Sequence, residues 1–496
     1  MSLLWLLLLL LRHTVSFVSG FVSRAATTSP PPAASSHFPK PIASVVPSSN
    51  AETPPTSQWQ TLVSVQSDLE QAVDELTNGL RDQNPDLAFL FVSQFHGSNF
   101  PLLVQQLHQR LACRLLSVVG SGVIGQDEEL EEPSKPSISL MVGYHLRTDN
   151  EAPLELFHFN ELHKPPPEPS SAYWDHLAQG NQPNKEAPSC SVLIFADPWS
   201  PVENVTAALS QAVIAGGISC PTGTGPTVAL DDRPLPQGSL VGVRLPQRLQ
   251  LQVVTAQGCR PVGDVFIITA AEGSVILELN GQPALQVLES MVQEGGSSSQ
   301  PLTGLVCGLQ QQSQLASNDN MDTTVLDPSQ DYLIRQIIGF VPTKGGIAVP
   351  GGVHVGDRLR FHVRDKQAAR QDLGLMLQRA QTERTVFGGS GGKWVGALQF
   401  SCVARGRSFF GDRNVDLEQT KSLLESDSPV AGFYANGELG PVGIAGFATG
   451  GSLVRGSHIH GFTTVVAYIC DTMDVTARRE LEPVLSPIAD DPSAWE

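Results

Sequence analysis

The sequence predicts an α/β or α+β protein: two mixed-sheet domains with helices packed on the sheets. Three observations carry this. Short continuous apolar runs recur at 87–92, 138–142 and 192–196, each the length of a buried strand. Segments of helical period stand between or beside such runs, so strand and helix alternate along the chain. Of the 496 residues, 41% are hydrophobic and 16% charged, a composition that builds a true core and is long enough for more than one domain.

The first domain is expected over 58–248. Leu62, Val65, Leu69, Val73, Leu76 and Leu80 recur at three and four residues, which predicts an amphipathic helix stopped by Asn84-Pro85. A strand at 87–92, a helix at 102–112 and a strand at 115–119 follow. Strands at 138–142 and 192–196 flank a stretch read as a long loop, from Pro165-Pro166-Pro167 to Pro188. A helix over 203–215 and a strand over 240–245 complete this half.

The second domain is expected over 249–471. Strands at 265–269 and 275–279 are joined through Ala271-Glu272-Gly273, a hairpin with glycine in its turn. Pro283 then opens a helix, as its fixed φ suits a first helical position. Gly, Ser, Gln and Asn dominate 295–300 and 310–322, which predicts a disordered insertion near 293–330. Strands at 334–340, 358–363, 395–403, 430–434 and 462–469, with helices at 366–378 and 415–424, precede an irregular tail, 472–496.

Composition also excludes functions. A net charge of −18 opposes nucleic-acid binding, which needs clustered Lys and Arg. The acidic run Asp127, Glu128, Glu129, Glu131 and Glu132 reads as a solvated loop. Seven scattered cysteines without a Cys-x-x-Cys read as buried inert thiols in a reducing compartment. The apolar run 3–11 is too short to span a membrane, and no other segment is apolar enough. Residues 1–57 read as a leader: a signal-like start, then a stretch rich in Ser, Thr, Ala and Pro with Arg24 and Lys40. Phe21 after the cut resembles the two-part leader of plastids of secondary origin, so plastid import is expected. A mitochondrial presequence and the secretory pathway are the alternatives.

Motifs for phosphate and hydrolytic chemistry are sparse. Gly120-Ser121-Gly122-Val123-Ile124-Gly125 fits G-x-G-x-x-G after a strand, but acids follow where a helix N-terminus would face a phosphate, so it reads as a turn. There is no P-loop, H-E-x-x-H or G-x-S-x-G. His458 and His460 share a face if they lie on a strand. The strongest constellation is two strand ends. Residues 400–406 end in Arg405-Gly406, and residues 432–441 hold the turn former Asn436-Gly437 with Glu438 beyond it.

At these residues the chain resembles the FIST family of sensory proteins. The matching stretches are Gly258-Cys259-Arg260-Pro261-Val262-Gly263, residues 278–284, residues 358–377 with Arg364-Asp365, residues 400–406, residues 429–443, and His460-Gly461-Phe462-Thr463-Thr464. Residues 118–125 and Ala215-Gly216-Gly217-Ile218 are similar to the glycine turns of the N-terminal FIST domain. The resemblance implies a small-molecule sensor, with amino acids or related metabolites as ligands, signalling through a protein partner. On that basis Arg405 is expected to pair with a ligand carboxylate, Asn436 and Glu438 to hold an amine or polar group, and His460 to line the same site. No cofactor is predicted. The alternatives are an enzyme using Cys402 or Cys259 with His460 as base, and a haem sensor with His460 or His458 as axial ligand.

Overall fold

The computed structural model describes residues 56–82, 84–147, 154–179, 190–295, 304–310, 332–387, 393–446 and 456–472. They belong to one unit, Pro55–Glu496. Residues 1–55 of the leader expected over 1–57, most of the low-complexity stretches and the tail beyond 472 lie outside the described residues.

The N-terminal half contains one topology twice. The first copy has β1 (Gln58–Ser64), α1 (Leu69–Asn78), β2 (Leu87–Ser93), α2 (Phe100–Leu111), β3 (Arg114–Gly120), the hairpin β4 (Val123–Gly125) and β5 (Glu128–Leu130), and β6 (Ile138–Tyr144). The second has β7 (Glu155–Asn160), α3 (Ala172–Gln179), β8 (Ser191–Ala196), α4 (Val202–Ala208), β9 (Val213–Ile218), the hairpin β10 (Val228–Leu230) and β11 (Arg233–Pro234), and β12 (Ser239–Arg244). In each, the two strands joined by a helix are parallel, and the last strand returns antiparallel between the first two. The sheet orders are β1-β6-β2-β3 and β7-β12-β8-β9.

The C-terminal half holds a third copy with an insertion. It begins at β13 (Leu249–Gln257). The insertion is a separate antiparallel sheet: β14 (Cys259–Glu272), β15 (Val275–Leu279), β16 (Gln282–Pro283), α5 (Ala284–Gly295), β17 (Leu305–Gln310), β18 (Leu333–Gln336), β19 (Gly339–Val341), β20 (Gly346–Ala348) and β21 (Arg358–Arg364). The copy resumes with α6 (Lys366–Phe387), β22 (Lys393–Cys402), α7 (Arg407–Phe410), α8 (Val415–Lys421), β23 (Val430–Ala435), β24 (Glu438–Pro441), β25 (Ile444–Ala445), β26 (Ser457–His460) and β27 (Thr463–Asp471). Its order, β13-β27-β22-β23, matches the other two.

Each sheet is then completed by a hairpin from another copy. The hairpin β10–β11 extends β3, the pair β24 and β26 extends β9, and β4–β5 extends β23. The exchange runs from one copy to the next and closes into a ring. Register aligns Phe91, Phe195 and Phe400 on the three central strands, facing Val118, Gly217 and Phe433 on their parallel neighbours. The three phenylalanines and Phe433 pack with ring centroids 5.5–6.0 Å apart in one buried cluster. Phe433 is larger than its counterparts, and Gly217 yields the room: a Cβ there would come within 2.8 Å of the Phe433 ring.

Several element expectations change. The strand expected at 334–340 is two short strands, β18 and β19, and the strand β17 lies within the insertion expected to be disordered near 293–330. Residues 58–64 are a strand, not the start of a helix, because they pair along their whole length with β6; Leu69, Val73 and Leu76 stay helical. Helix α4 ends at Ala208, and Val213, Ile214 and Ala215 of the expected helix instead open the buried strand β9. The stretch read as a loop contains α3, seated by the buried Trp174 and Leu177. The turn at Gly120–Gly125 runs into the hairpin β4–β5, with no helix N-terminus behind it. Phe433→Ala empties the point where all three copies meet, so a loss of about 3–5 kcal/mol is expected in denaturant unfolding; a loss below about 1 kcal/mol means the centre repacks.

Candidate functional site

The C-terminal ends of β22 and β23 lie beside each other, with Cys402 opposite Ala435. Three segments converge on Cys402. One is β21 of the inserted sheet, ending at Arg364 opposite Cys259. The second is the segment that follows β22, carrying Arg405, Phe409 and Phe410. The third is the β26–β27 connection, with Phe462 at φ 62°, a left-handed conformation rare for an aromatic residue.

Arg405 is not the open carboxylate clamp the sequence suggested. It is 1% exposed, and Asp416 already fills its fork: Nε donates to Oδ2 at 2.7 Å and Nη2 to Oδ1 at 2.9 Å. Its Nη1 reaches the Phe462 carbonyl at 3.5 Å, and the Phe410 ring lies 5.4 Å from the guanidinium. Burial opposes the Arg405 charge, and the Asp416 pair more than offsets it. This is a structural bolt. Asn436 is exposed at the β23–β24 turn, where its backbone N–H donates to the Ile218 carbonyl at 2.9 Å. It stands apart from the other three predicted residues.

Glu438 and His460 do come together. They are direct cross-strand neighbours on β24 and β26, so both side chains leave the same face. Glu438 is fully buried; its Oε2 accepts from Thr463 Oγ1 at 2.5 Å, and Oε1 makes no hydrogen bond among the described residues. Burial pushes its carboxyl up to about 8, against the Thr463 bonds, Arg405 and the Cys402 thiol, which favour the ionised form. His460 places Nε2 3.0 Å from the Gly440 carbonyl. A carbonyl only accepts, so Nε2 carries the proton and Nδ1 is a bare, buried acceptor without a partner. Burial pulls this imidazole down to about 3. Binding a haem iron through Nε2 would break the bond to the Gly440 carbonyl, and the low proton affinity makes Nδ1 a weak base for a thiol. The Cys259 thiol is raised to about 12 by burial, and Cys402 is raised as well.

Register shows how unusual Glu438 is. It occupies the position held by Val123 and Val228 in the other two hairpins, each opposite its equivalent partner strand residue. Two copies have an apolar side chain there, and the third has a buried carboxyl.

Sequence reasoning gave Arg364 no role. Its guanidinium lies between the rings of Phe409 and Phe462, 4.7 and 4.8 Å from their centroids. Nη2 donates to the Ala404 carbonyl, Nε has no acceptor, and no carboxylate pairs with it among the described residues. Burial lowers its proton affinity, while the Cys259 and Cys402 sulfurs favour its charge. The only signal was an arginine ending an apolar strand inside a matched stretch. The site therefore brings Cys402 beside both the half-buried Arg364 cation and the buried Glu438 carboxyl, and Glu438 Oε1 and its cross-strand neighbour His460 Nδ1 have no hydrogen-bond partner among the described residues. Among the described residues, no group of three or more His, Cys, Asp or Glu has the geometry to hold a metal, and no helix is long and apolar enough to cross a membrane.

Comparison with known proteins places this arrangement. The FIST N domain model matches residues 86–282 and the FIST C domain model residues 284–441. The chain belongs to the FIST family, whose domains sense small ligands in signalling proteins. An uncharacterized protein of Mycobacterium tuberculosis is 32% identical over 423 residues, covering 82% of this chain and 98% of the relative. An uncharacterized protein of Mycobacterium bovis is 34% identical over 291 residues, covering 57% of this chain and 68% of its own.

Two outcomes test the site. Arg405→Ala leaves Asp416 buried and uncompensated, so a stability loss of about 3–5 kcal/mol is expected, much of it recovered when Asp416 is also made apolar; an unchanged melting temperature refutes the bolt. Glu438 holds its proton more tightly folded than unfolded. It therefore costs nothing below about pH 4.5 and destabilises increasingly as pH rises toward about 8. Glu438→Gln removes that term, so its stability relative to the parent protein climbs across that window; a pH-independent difference contradicts the assignment.

Proposed function

We propose that the protein is a sensor for a small amino-acid-like metabolite, which it binds around Cys402 and reports to a protein partner. One observation carries the reading: Cys402 neighbours both the Arg364 cation, which no carboxylate pairs among the described residues, and the buried Glu438, whose Oε1 lacks a hydrogen-bond partner there, as does Nδ1 of its cross-strand neighbour His460. A ligand with a carboxylate at one end and an N–H donor at the other satisfies both sides. Arg364 takes the carboxylate, held in orientation by the two phenylalanine faces. An ammonium group gives Glu438 Oε1 and His460 Nδ1 the donors they lack, and leaving them unsatisfied is costly in a buried site. The carboxylate role first expected of Arg405 passes to Arg364, because Asp416 occupies the Arg405 fork. Membership in a family of ligand-sensing domains supports the same reading.

The test is thermal stability of the full chain against a panel of amino acids and related carboxylates. Stabilisation of about 2.7 kcal/mol is expected at a hundredfold excess over the dissociation constant. Arg364→Ala should weaken the best ligand roughly 30-fold or more, the equivalent of about 2 kcal/mol. Full binding by that variant removes Arg364 from the site, and a panel without a hit removes the ligand class.

A further inference from the structure

The acidic run 127–132 is not the solvated loop its composition suggests. Glu129 is 6% exposed, and four of the five acids touch the segment 406–421 of the other half. The hairpin β4–β5 delivers them by pairing with β23, Gly125 opposite Ala431 and Val123 opposite Phe433.

Their contacts follow a pattern. Asn414 stands at the N-cap of α8 but does not cap it. Its Oδ1 instead accepts the Glu129 backbone N–H at 2.9 Å, and Glu129 Oε1 accepts the N–H of Leu417, the third residue of α8, at 3.0 Å. Glu129 thus gives the third helical N–H the acceptor that an N-cap side chain would supply, from another part of the chain. Gln399 Nε2 adds a bond to the same Glu129 oxygen at 3.2 Å. Two residues on, Glu131 Oε2 accepts the Arg407 N–H at 2.7 Å. Gly406 has φ 101°, and a Cβ there would collide with the Glu131 carboxylate, so the close approach depends on glycine.

Both anchored elements lead straight to the site. Helix α8 carries Asp416, which holds Arg405. Helix α7 starts at Arg407 and carries Phe409, one face of the Arg364 sandwich, and Phe410, which lies over Arg405. Nothing else among the described hydrogen bonds from outside this segment holds the start of α7.

We propose that Glu131, with Glu129, is a positioning element of the binding site: the hairpin of the N-terminal half holds residues 406–417 in the conformation that closes the aromatic cage of Arg364. The ligand site of the C-terminal half is then complete only with the N-terminal hairpin docked, and ligand occupancy is coupled to that docking. This rests on the reading of Arg364 as the ligand anchor.

The full chain carrying Glu131→Ala or Glu131→Gln tests it by two measurements. In hydrogen exchange, Glu131→Ala should speed the amides of 407–410 at least tenfold while exchange in the β22 and β27 core stays unchanged. Glu131→Gln, whose amide oxygen accepts the same N–H, should exchange as the parent does. With the amino acid that most stabilises the parent as probe, Glu131→Ala should weaken binding at least fivefold and Glu131→Gln should restore it. Unchanged exchange in Glu131→Ala overturns the clamp. Faster exchange with unchanged affinity overturns its link to the site. If no amino acid stabilises the parent, the ligand reading fails and the positioning role for binding falls with it, whereas the exchange result still decides whether Glu131 orders 407–410.

Discussion

Exchange of hairpins among the three copies is the constraint on which the rest depends. Every copy leaves its third strand with an open edge, and an open edge must be paired or covered. The partner always comes from another copy, so no copy completes its own sheet. The ring closes on the Phe91, Phe195, Phe400 and Phe433 cluster, where two glycines, Gly120 and Gly217, make room for the one oversized ring. Sheet pairing and core packing thus enforce each other, and the two halves matched by separate family models form one physical object.

The proposed site sits where this repetition is broken. Glu438 replaces a valine, and the cost of burying its carboxyl is visible in its raised proton affinity. Arg364 enters from the inserted sheet, which only the third copy has. Arg405 and Asp416 spend their charges on each other and hold the floor of the site. Among the described residues, a carboxyl without a full set of partners and a cation without an anion persist there because the surrounding sheet fixes them, which fits the proposed ligand site.

Several sequence readings survived because they rest on local physics. Continuous apolar runs such as 87–92 and 192–196 are strands buried on both faces. Those that changed were decided by distant partners. The spacing of Leu62 and Val65 mimics a helix, but β6 claims that segment. The chain after Ala208 has helical neighbours, but pairing with β8 makes it β9. Glu129 carries a charge that belongs in water, yet it is buried because α8 and Gln399 offer it donors. The threefold topology is equally hidden, since Phe91, Phe195 and Phe400 sit in strands that share little else.

The sequence by itself determined the fold class and the family, because apolar periodicity, turn residues and ordered motifs are properties of short segments. It also singled out Glu438 and His460, which lie opposite each other on the paired strands β24 and β26. Only the tertiary structure decided which charges are free. Arg405 and Arg364 look alike in sequence; one is neutralised by Asp416 and the other left between two phenylalanine rings without an anion. That difference depends on which side chains meet across elements far apart in the chain, and residue type alone does not encode it.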